Sequence, residues 1–382
     1  MSYILNISTA VPEHKIESND LVRFYTQAFA AEGGNDFIKK LNLLNKKTKI
    51  NSRYSCLPDY KGDAYVLYTD NNFKQPVEKR MELYRKKIMP LATDAIDRLF
   101  AQSDITPADI THLITVSCTG LMAPGLEFMI AEQYGLQHTE KSAINFLGCY
   151  AALKAIKQAH YIAQSNPQAS VLIVCAELCS LHFYPSAEEE DIIANLLFSD
   201  GASSVVICGN KNKLAENKVV LQIDDIGTGF IPHTADLMTW NLSSTAFRMH
   251  LSPKVVESIK ENIHEAVITF LGNHITETDY WAIHPGGVKI VEAVQEGLNL
   301  TDSNVADSMS ILQQYGNMSS PTILFILDSI FNKIKANEQQ SKNIFSCAFG
   351  PGLNIEMLRL SSVNTNTQQT TNHSNRNYVV EV

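Results

Sequence analysis

The sequence predicts an α/β fold built on extensive buried sheet, and three features carry that prediction. Apolar, β-rich runs recur at "THLITVSC" (111–118), "VLIVCAE" (171–177), "SSVVICG" (203–209), "VVLQIDDIG" (219–227), "YWAIH" (280–284) and "NIFSCAFG" (343–350). Helical patterns fall between them, at "PLATDAIDRLFAQ", "SPKVVESIKENIHEAVITFLG" and "SPTILFILDSIFNKIKANE". Strands this apolar are covered on both faces, which alternating helices supply. A chain of 382 residues, 45% apolar and 19% charged, is long enough for either one large unit or two packed halves.

In chain order, a first helix is expected at "SNDLVRFYTQAFA", with Ser18, Asn19 and Asp20 as candidate caps. The polar, lysine-rich "CGNKNKLAENKVV" divides the chain near residue 215, giving halves 1–215 and 216–360. The final stretch, 361–382, is polar and of low complexity, so a disordered tail without catalytic role is expected there. A formal net charge of −9 argues against a general nucleic-acid or anionic-membrane binder. No apolar run reaches membrane-spanning length and the N-terminus lacks a secretory pattern, so a cytoplasmic location is expected. Seven scattered cysteines suit reduced thiols.

One of those thiols stands apart. In "INFLGCYAALKAIKQAHYIA" (144–163), Cys149 sits between an apolar stretch and a strong helical pattern. A helix N-terminus lowers a thiol's pKa, which suits a nucleophile, although a buried cysteine otherwise behaves as a small hydrophobe. Two further polar residues occupy similar joints. His284 ends the run "YWAIH" just before Pro285, Gly286 and Gly287, and Asn317 precedes Ser319, Ser320 and Pro321 at the start of a long apolar helix. Alone, each reads as a structural histidine or a cap. Together they supply a nucleophile, an imidazole and a neutral amide.

"GCYAA", "HPGG", "YGNMSS" and "FGPG" (349–352), in this order, resemble the type III polyketide synthases, the chalcone-synthase-like family. The resemblance spans nearly all of residues 1–360 and implies the thiolase fold, two similar halves in five αβαβα layers, usually as a homodimer. It implies that Cys149, His284 and Asn317 form the catalytic triad. Cys149 would take an acyl group from a coenzyme A thioester, as a thiolate favoured by the helix terminus and a His284 imidazolium. His284 and Asn317 would stabilise the enolate left when malonyl-CoA loses carbon dioxide. The substrates are then malonyl-CoA and an acyl-CoA starter, with no metal, flavin or nicotinamide cofactor.

The same resemblance makes Phe198 a gatekeeper and puts Met249 at a second gatekeeper position where plant enzymes carry Phe. It matches Lys47 and Arg53, in "NKKTKINSRYS", to cations that meet coenzyme A phosphates. Around the pocket, Trp240 stands where chalcone-forming relatives have Gly, His182 replaces a small Thr, and Ser319 stays small. Cys118 matches a cysteine of several bacterial members. The Ala123–Pro124 bond aligns with a cis peptide, and Ala123 stands where plant relatives present Met to the partner subunit.

Other readings fit less well. A priming ketoacyl synthase of the same fold shares Cys, His and Asn but not "HPGG" or "YGNMSSPT". Papain-like proteases carry a different pattern around their cysteine. Cys175, Cys179 and His182 have ligand-like spacing without a clear fourth metal ligand. "FGPG" lacks the dinucleotide fingerprint. A non-catalytic partner subunit of the same fold would typically have lost the nucleophile.

Overall fold

Two buried helices form the centre of the molecule, and a sheet covers each side of them. The computed structural model describes residues 1–29, 34–62, 64–336, 340–366 and 377–381. Its strands are β1 (Ser2–Ala10), β2 (His14–Glu17), β3 (Ser52–Ser55), β4 (His112–Ser117), β5 (Glu140–Asn145), β6 (Ser170–Leu178) and β7 (Asp200–Gly209). They continue with β8 (Val219–Phe230), β9 (Met238–Leu242), β10 (Phe247–Leu251), β11 (Tyr280–Ile283), β12 (Asn343–Gly350), β13 (Asn354–Asn364) and β14 (Asn377–Glu381). The helices are α1 (Ser18–Ala28), α2 (Asn35–Lys47), α3 (Val77–Ala101), α4 (Leu126–Gln133) and α5 (Ala151–Ser165). The later ones are α6 (Glu189–Leu197), α7 (Lys254–Leu271), α8 (Val288–Gly297), α9 (Ala306–Tyr315) and α10 (Thr322–Ala336).

The large sheet runs β11-β12-β13-β8-β1-β7-β6-β4-β5, with β14 beside β8. Its middle is thin. β1 meets β8 through the register pairs Tyr3↔Gln222 and Ile4↔Leu221, so the path turns there from one sheet into a second.

Period-two side chains then sort the core. On β6, Leu172 and Val174 join the cluster under α3, whereas Val171, Ile173 and Cys175 join the cluster around α5 and α10. On β12, Ile344 and Ala348 face those same central helices, while Phe345 and Cys347 pack with α7 and α8. The layers are therefore α3, sheet, α5 with α10, sheet, α7 with α8. This is the five-layered αβαβα arrangement expected from the resemblance. A buried ion cluster ties the halves together, with Lys154 and Lys157 of α5 both donating to Glu356 of β13.

Two expectations need correction. The residue capping α1 is Glu17, with Asp20 completing a capping box; Ser18 and Asn19 are already helical. The tail is also shorter than expected, since β13 continues to Asn364 along the edge of β8. Residues 377–381 return as β14, parallel to Ile226–Phe230. The ladder gives polar residues backbone partners that composition does not reveal. The rest of the expected tail lies outside the described residues.

Candidate active site

Three breaks in regular structure carry the expected triad. Cys149 lies in the turn from β5 to α5. Gly148 before it has φ +81°, and a Cβ there would meet Pro351 Cδ at 2.6 Å, so this joint requires glycine. Asn317 lies between α9 and α10, after Gly316 at φ +71° and before Ser319, a non-glycine residue at φ +61°. His284 follows β11, its backbone N–H bonded to Cys347 O at 2.9 Å.

The side chains of Cys149 and Asn317 meet. Cys149 Sγ is 3.9 Å from Asn317 Nδ2, 4.0 Å from Asn317 Oδ1 and 3.8 Å from Ser319 Oγ. Asn317 Oδ1 accepts from the Ser319 N–H at 2.8 Å, which fixes the carboxamide, and Nδ2 donates to Gly286 O at 3.3 Å, two residues after His284. His284 is 1% exposed, yet neither ring nitrogen has a hydrogen-bond partner among the described residues. A buried imidazole with two unused polar atoms is costly unless a substrate or the thiol supplies a partner.

The expected pocket residues extend this site. Asn317 and Phe198 form a parallel bridge, with Asn317 N donating to Leu197 O and Ser199 N to Asn317 O, each at 2.9 Å. Phe198 lies 6.5 Å from the Trp240 ring, and Trp240 Nε1 donates to Cys118 O at 2.8 Å. Cys118 Sγ accepts from Gly148 N at 3.1 Å, which brings the circuit back to Cys149. Met249 pairs with Trp240 across the β9–β10 ribbon. His182 bridges ribbon and site, its Nε2 on Thr119 O at 2.7 Å and its Nδ1 accepting the Phe247 N–H at 3.1 Å. Phe198, Trp240, Met249, His182 and Arg53 line a cavity of about 60 Å³. Cys149, His284, Asn317, Cys118 and Ser319 lie outside its lining.

The charge state of the pair differs from expectation. Burial pushes the Cys149 thiol up to about 11 against the hydrogen bonds of Ser319 and Asn317, and pushes His284 down to about 3. Burial thus favours the neutral form of both groups and opposes the expected thiolate–imidazolium pair. The helix helps less than expected because α5 starts at Ala151 with Tyr150 as its cap, leaving Cys149 outside the first turn. Cys149 is nevertheless the least perturbed of the seven thiols, all of which burial raises. Iodoacetamide should therefore label Cys149 before Cys118 or Cys179. The rate should rise about tenfold per pH unit below 11, as the thiolate fraction does. Peptide mapping checks both, and first labelling of Cys118 or Cys179 refutes the expectation.

Of the two expected cations, Arg53 needs correction. Lys47 is exposed at the end of α2, whereas Arg53 is 2% exposed and its Nε donates to Leu196 O at 2.7 Å. Burial lowers its pKa to about 9. Arg53 is a buried wall of the cavity and presents no charge to an incoming phosphate. Sequence reading also missed Glu177, whose only signal was a lone acid ending "VLIVCAE". It is fully buried beside the thiols, bonded by Cys118 N and Thr119 Oγ1 at 2.8 Å and by Ser320 Oγ at 2.6 Å. Burial raises its carboxyl to about 7. The Ala123–Pro124 bond is cis, as the resemblance implied.

Comparison with known proteins places this geometry. The family model for the chalcone and stilbene synthase N-terminal domain matches residues 1–211, and that for the C-terminal domain matches residues 222–364. The chain belongs to the chalcone and stilbene synthase family. It is a type III polyketide synthase, an acyltransferase whose family uses coenzyme A thioesters. An alpha-pyrone synthesis polyketide synthase-like protein, Pks18 of Mycobacterium tuberculosis, is 27% identical over 93% of this chain and 90% of its own. The structure of PKS-I from the brown alga Ectocarpus siliculosus has 27% identity and a TM-score of 0.87, covering 95% of this chain and 98% of that one. The 1,3,6,8-tetrahydroxynaphthalene synthase of Streptomyces coelicolor shares the fold at 24% identity and a TM-score of 0.79, covering 94% and 98%. Among the described residues of this polyketide synthase, no helix is long and apolar enough to cross a membrane.

Proposed function

We propose that Cys149 carries the growing acyl chain and that His284 and Asn317 steer its extension by malonyl-CoA without a bound cofactor. The observation that carries this reading is the meeting of the Cys149 thiol with the Asn317 carboxamide, whose Nδ2 bonds Gly286 O two residues after the buried His284, a ring with no hydrogen-bond partner among the described residues. The neutral thiol gives its proton to the imidazole as sulfur attacks the starter thioester, and the proton then leaves on the departing coenzyme A thiol. Malonyl-CoA next loses carbon dioxide. The bonding pair becomes an enolate, whose oxygen takes N–H donors from His284 and Asn317. A neutral imidazole still supplies an N–H, so a depressed His284 pKa is compatible with this step. The enolate carbon attacks the acyl-Cys149 carbonyl, and the chain, two carbons longer, leaves sulfur for coenzyme A.

Starter choice rests on Trp240 and His182. Both stand in the wall of the cavity that adjoins the site through Phe198, and their bulk favours malonyl-CoA itself, a short acyl starter or a thin linear chain over p-coumaroyl-CoA. Release of carbon dioxide from malonyl-CoA, with product masses identified across an acyl-CoA panel, tests the assignment. Purified enzyme that releases none overturns it.

A homodimer belongs to the same proposal. Leu121 and Phe128, on either side of the cis Ala123–Pro124 bond, are 49% and 51% exposed, and β5 ends the sheet with an open edge. Sedimentation equilibrium should give twice the chain mass of 42.5 kDa. A single-chain mass at micromolar concentration refutes the dimer.

A further inference from the structure

A second cavity, separate from the residues of the candidate active site, opens where β1, α3 and α10 end together. Its volume is about 340 Å³, and its lining is polar throughout: Asn6, Ser8 and Thr9 of β1, Arg98 of α3 with Gln102 beyond it, and Asp328, Asn332 and Lys335 of α10. The cleft opens to solvent at Arg98 and Asn332, while Asn6 and Ser8 at its floor are buried.

Its charged groups are poorly satisfied by one another. Lys335 is partly buried, donates to Asn6 Oδ1 at 3.1 Å and lies 3.9 Å from the centre of the Phe331 ring. No carboxylate of a described residue comes within ion-pair distance of its ammonium. Asp328 accepts from Asn332 Nδ2 at 3.0 Å and acts on Lys335 only at longer range. The bond from Lys335 fixes the orientation of the Asn6 amide, and that leaves Asn6 Nδ2 buried without a partner. Arg98 spends Nε and Nη2 on Asp94 and reaches Thr9 O at 3.3 Å with Nη1. Burial lowers the Lys335 pKa and raises that of Asp328 to about 6, as expected of two charges that lose water without gaining a close partner.

We propose that this cavity is an accessory binding site for a small organic carboxylate that carries a hydroxyl or amine donor beside the acid. The carboxylate pairs with the Lys335 ammonium at the mouth shared with Arg98, and the neighbouring donor group bonds the Asp328 carboxylate. Both charges thereby gain the partner that the protein withholds. On α10 the lining lies in the half away from Asn317, and none of the lining residues belongs to the candidate active site, so occupancy does not block Cys149. Through α10, whose first residue Thr322 bonds Met318 N and Asn317 Oδ1 through its hydroxyl, it reaches the site's own scaffold.

L-Malate supplies both groups, succinate lacks the hydroxyl and glycerol lacks the charge. In ligand-observed NMR and thermal-shift titrations of the full-length enzyme, malate should bind saturably, succinate more weakly and glycerol not at all. Lys335→Met and Asp328→Asn should each weaken malate by about tenfold to a hundredfold, the scale of one hydrogen bond to a charge. Cys149→Ala should leave malate binding unchanged. Should Lys335→Met fail to fold by circular dichroism, Asn332→Ala at the exposed rim takes its place, with a smaller loss expected. No saturable binding of malate overturns the proposal. So does binding untouched by the Lys335 and Asp328 variants, or binding lost in Cys149→Ala, which would place the ligand at the thiol.

Discussion

Replacing Cys149 by Ala should abolish polyketide formation, by about three orders of magnitude or more, while the fold survives. Two features of the structure make the outcome this sharp. The nearest polar atoms to Sγ stand at 3.8 to 4.0 Å, so the thiol contributes little hydrogen bonding whose loss would unfold the protein. No other cysteine can substitute, because burial suppresses the thiolate of Cys118 and Cys179 further than that of Cys149. The enolate-stabilising donors are separate from the nucleophile. Loss of carbon dioxide from malonyl-CoA should therefore persist in the variant while chain extension stops. Product formation at wild-type rate, measured by mass against malonyl-CoA consumed, would remove Cys149 from the mechanism. Loss of both reactions with intact circular dichroism would show that the thiol also positions malonyl-CoA.

The parts of this site legible in the sequence were those set by local pattern. A polar residue ending an apolar run and followed by Pro-Gly-Gly located His284, and a polar residue set between Gly316 and the Ser-Ser-Pro start of a long apolar helix located Asn317. Continuous apolar runs located β6, β7, β8 and β12, because both faces of each strand are buried. Local pattern misjudged whatever depends on a distant partner. Arg53 reads as a surface cation until the carbonyl of Leu196 arrives from 143 residues away. Glu177 reads as the polar end of a strand until Ser320 closes over it from the start of α10. The Cys149 thiol reads as activated by the helix that follows, whereas the burial that opposes activation comes from several layers at once. Near the C-terminus, composition weighs the cost of ordering a polar segment but not the backbone ladder that the free edge of β8 offers.

Replacing Trp240 by Gly should enlarge the pocket and shift the product spectrum, toward bulkier starters, longer products or both. The structure turns the indole toward the pocket. Trp240 lines the cavity, stands edge-on to His182 at 5.7 Å and to Phe247 at 6.0 Å, and anchors its N–H on Cys118 O. His182 stacks on Phe247 at 4.3 Å and 11°, so the wall behind the indole is rigid and will not collapse into the space it vacates. A large-to-small change beside a stiff wall costs stability, about 3–5 kcal/mol if Trp240 behaves as a core residue. Its partial exposure on the ribbon brings the cost below that range. Trp240→Phe separates bulk from hydrogen bonding, because it keeps most of the ring and loses the bond to Cys118. If volume sets starter choice, the Gly variant accepts p-coumaroyl-CoA while the Phe variant keeps the wild-type products. If the bond to Cys118 matters instead, both variants change alike. Efficient use of p-coumaroyl-CoA by the wild-type enzyme, or an unchanged product profile in Trp240→Gly, would show that the indole does not set the size of the pocket.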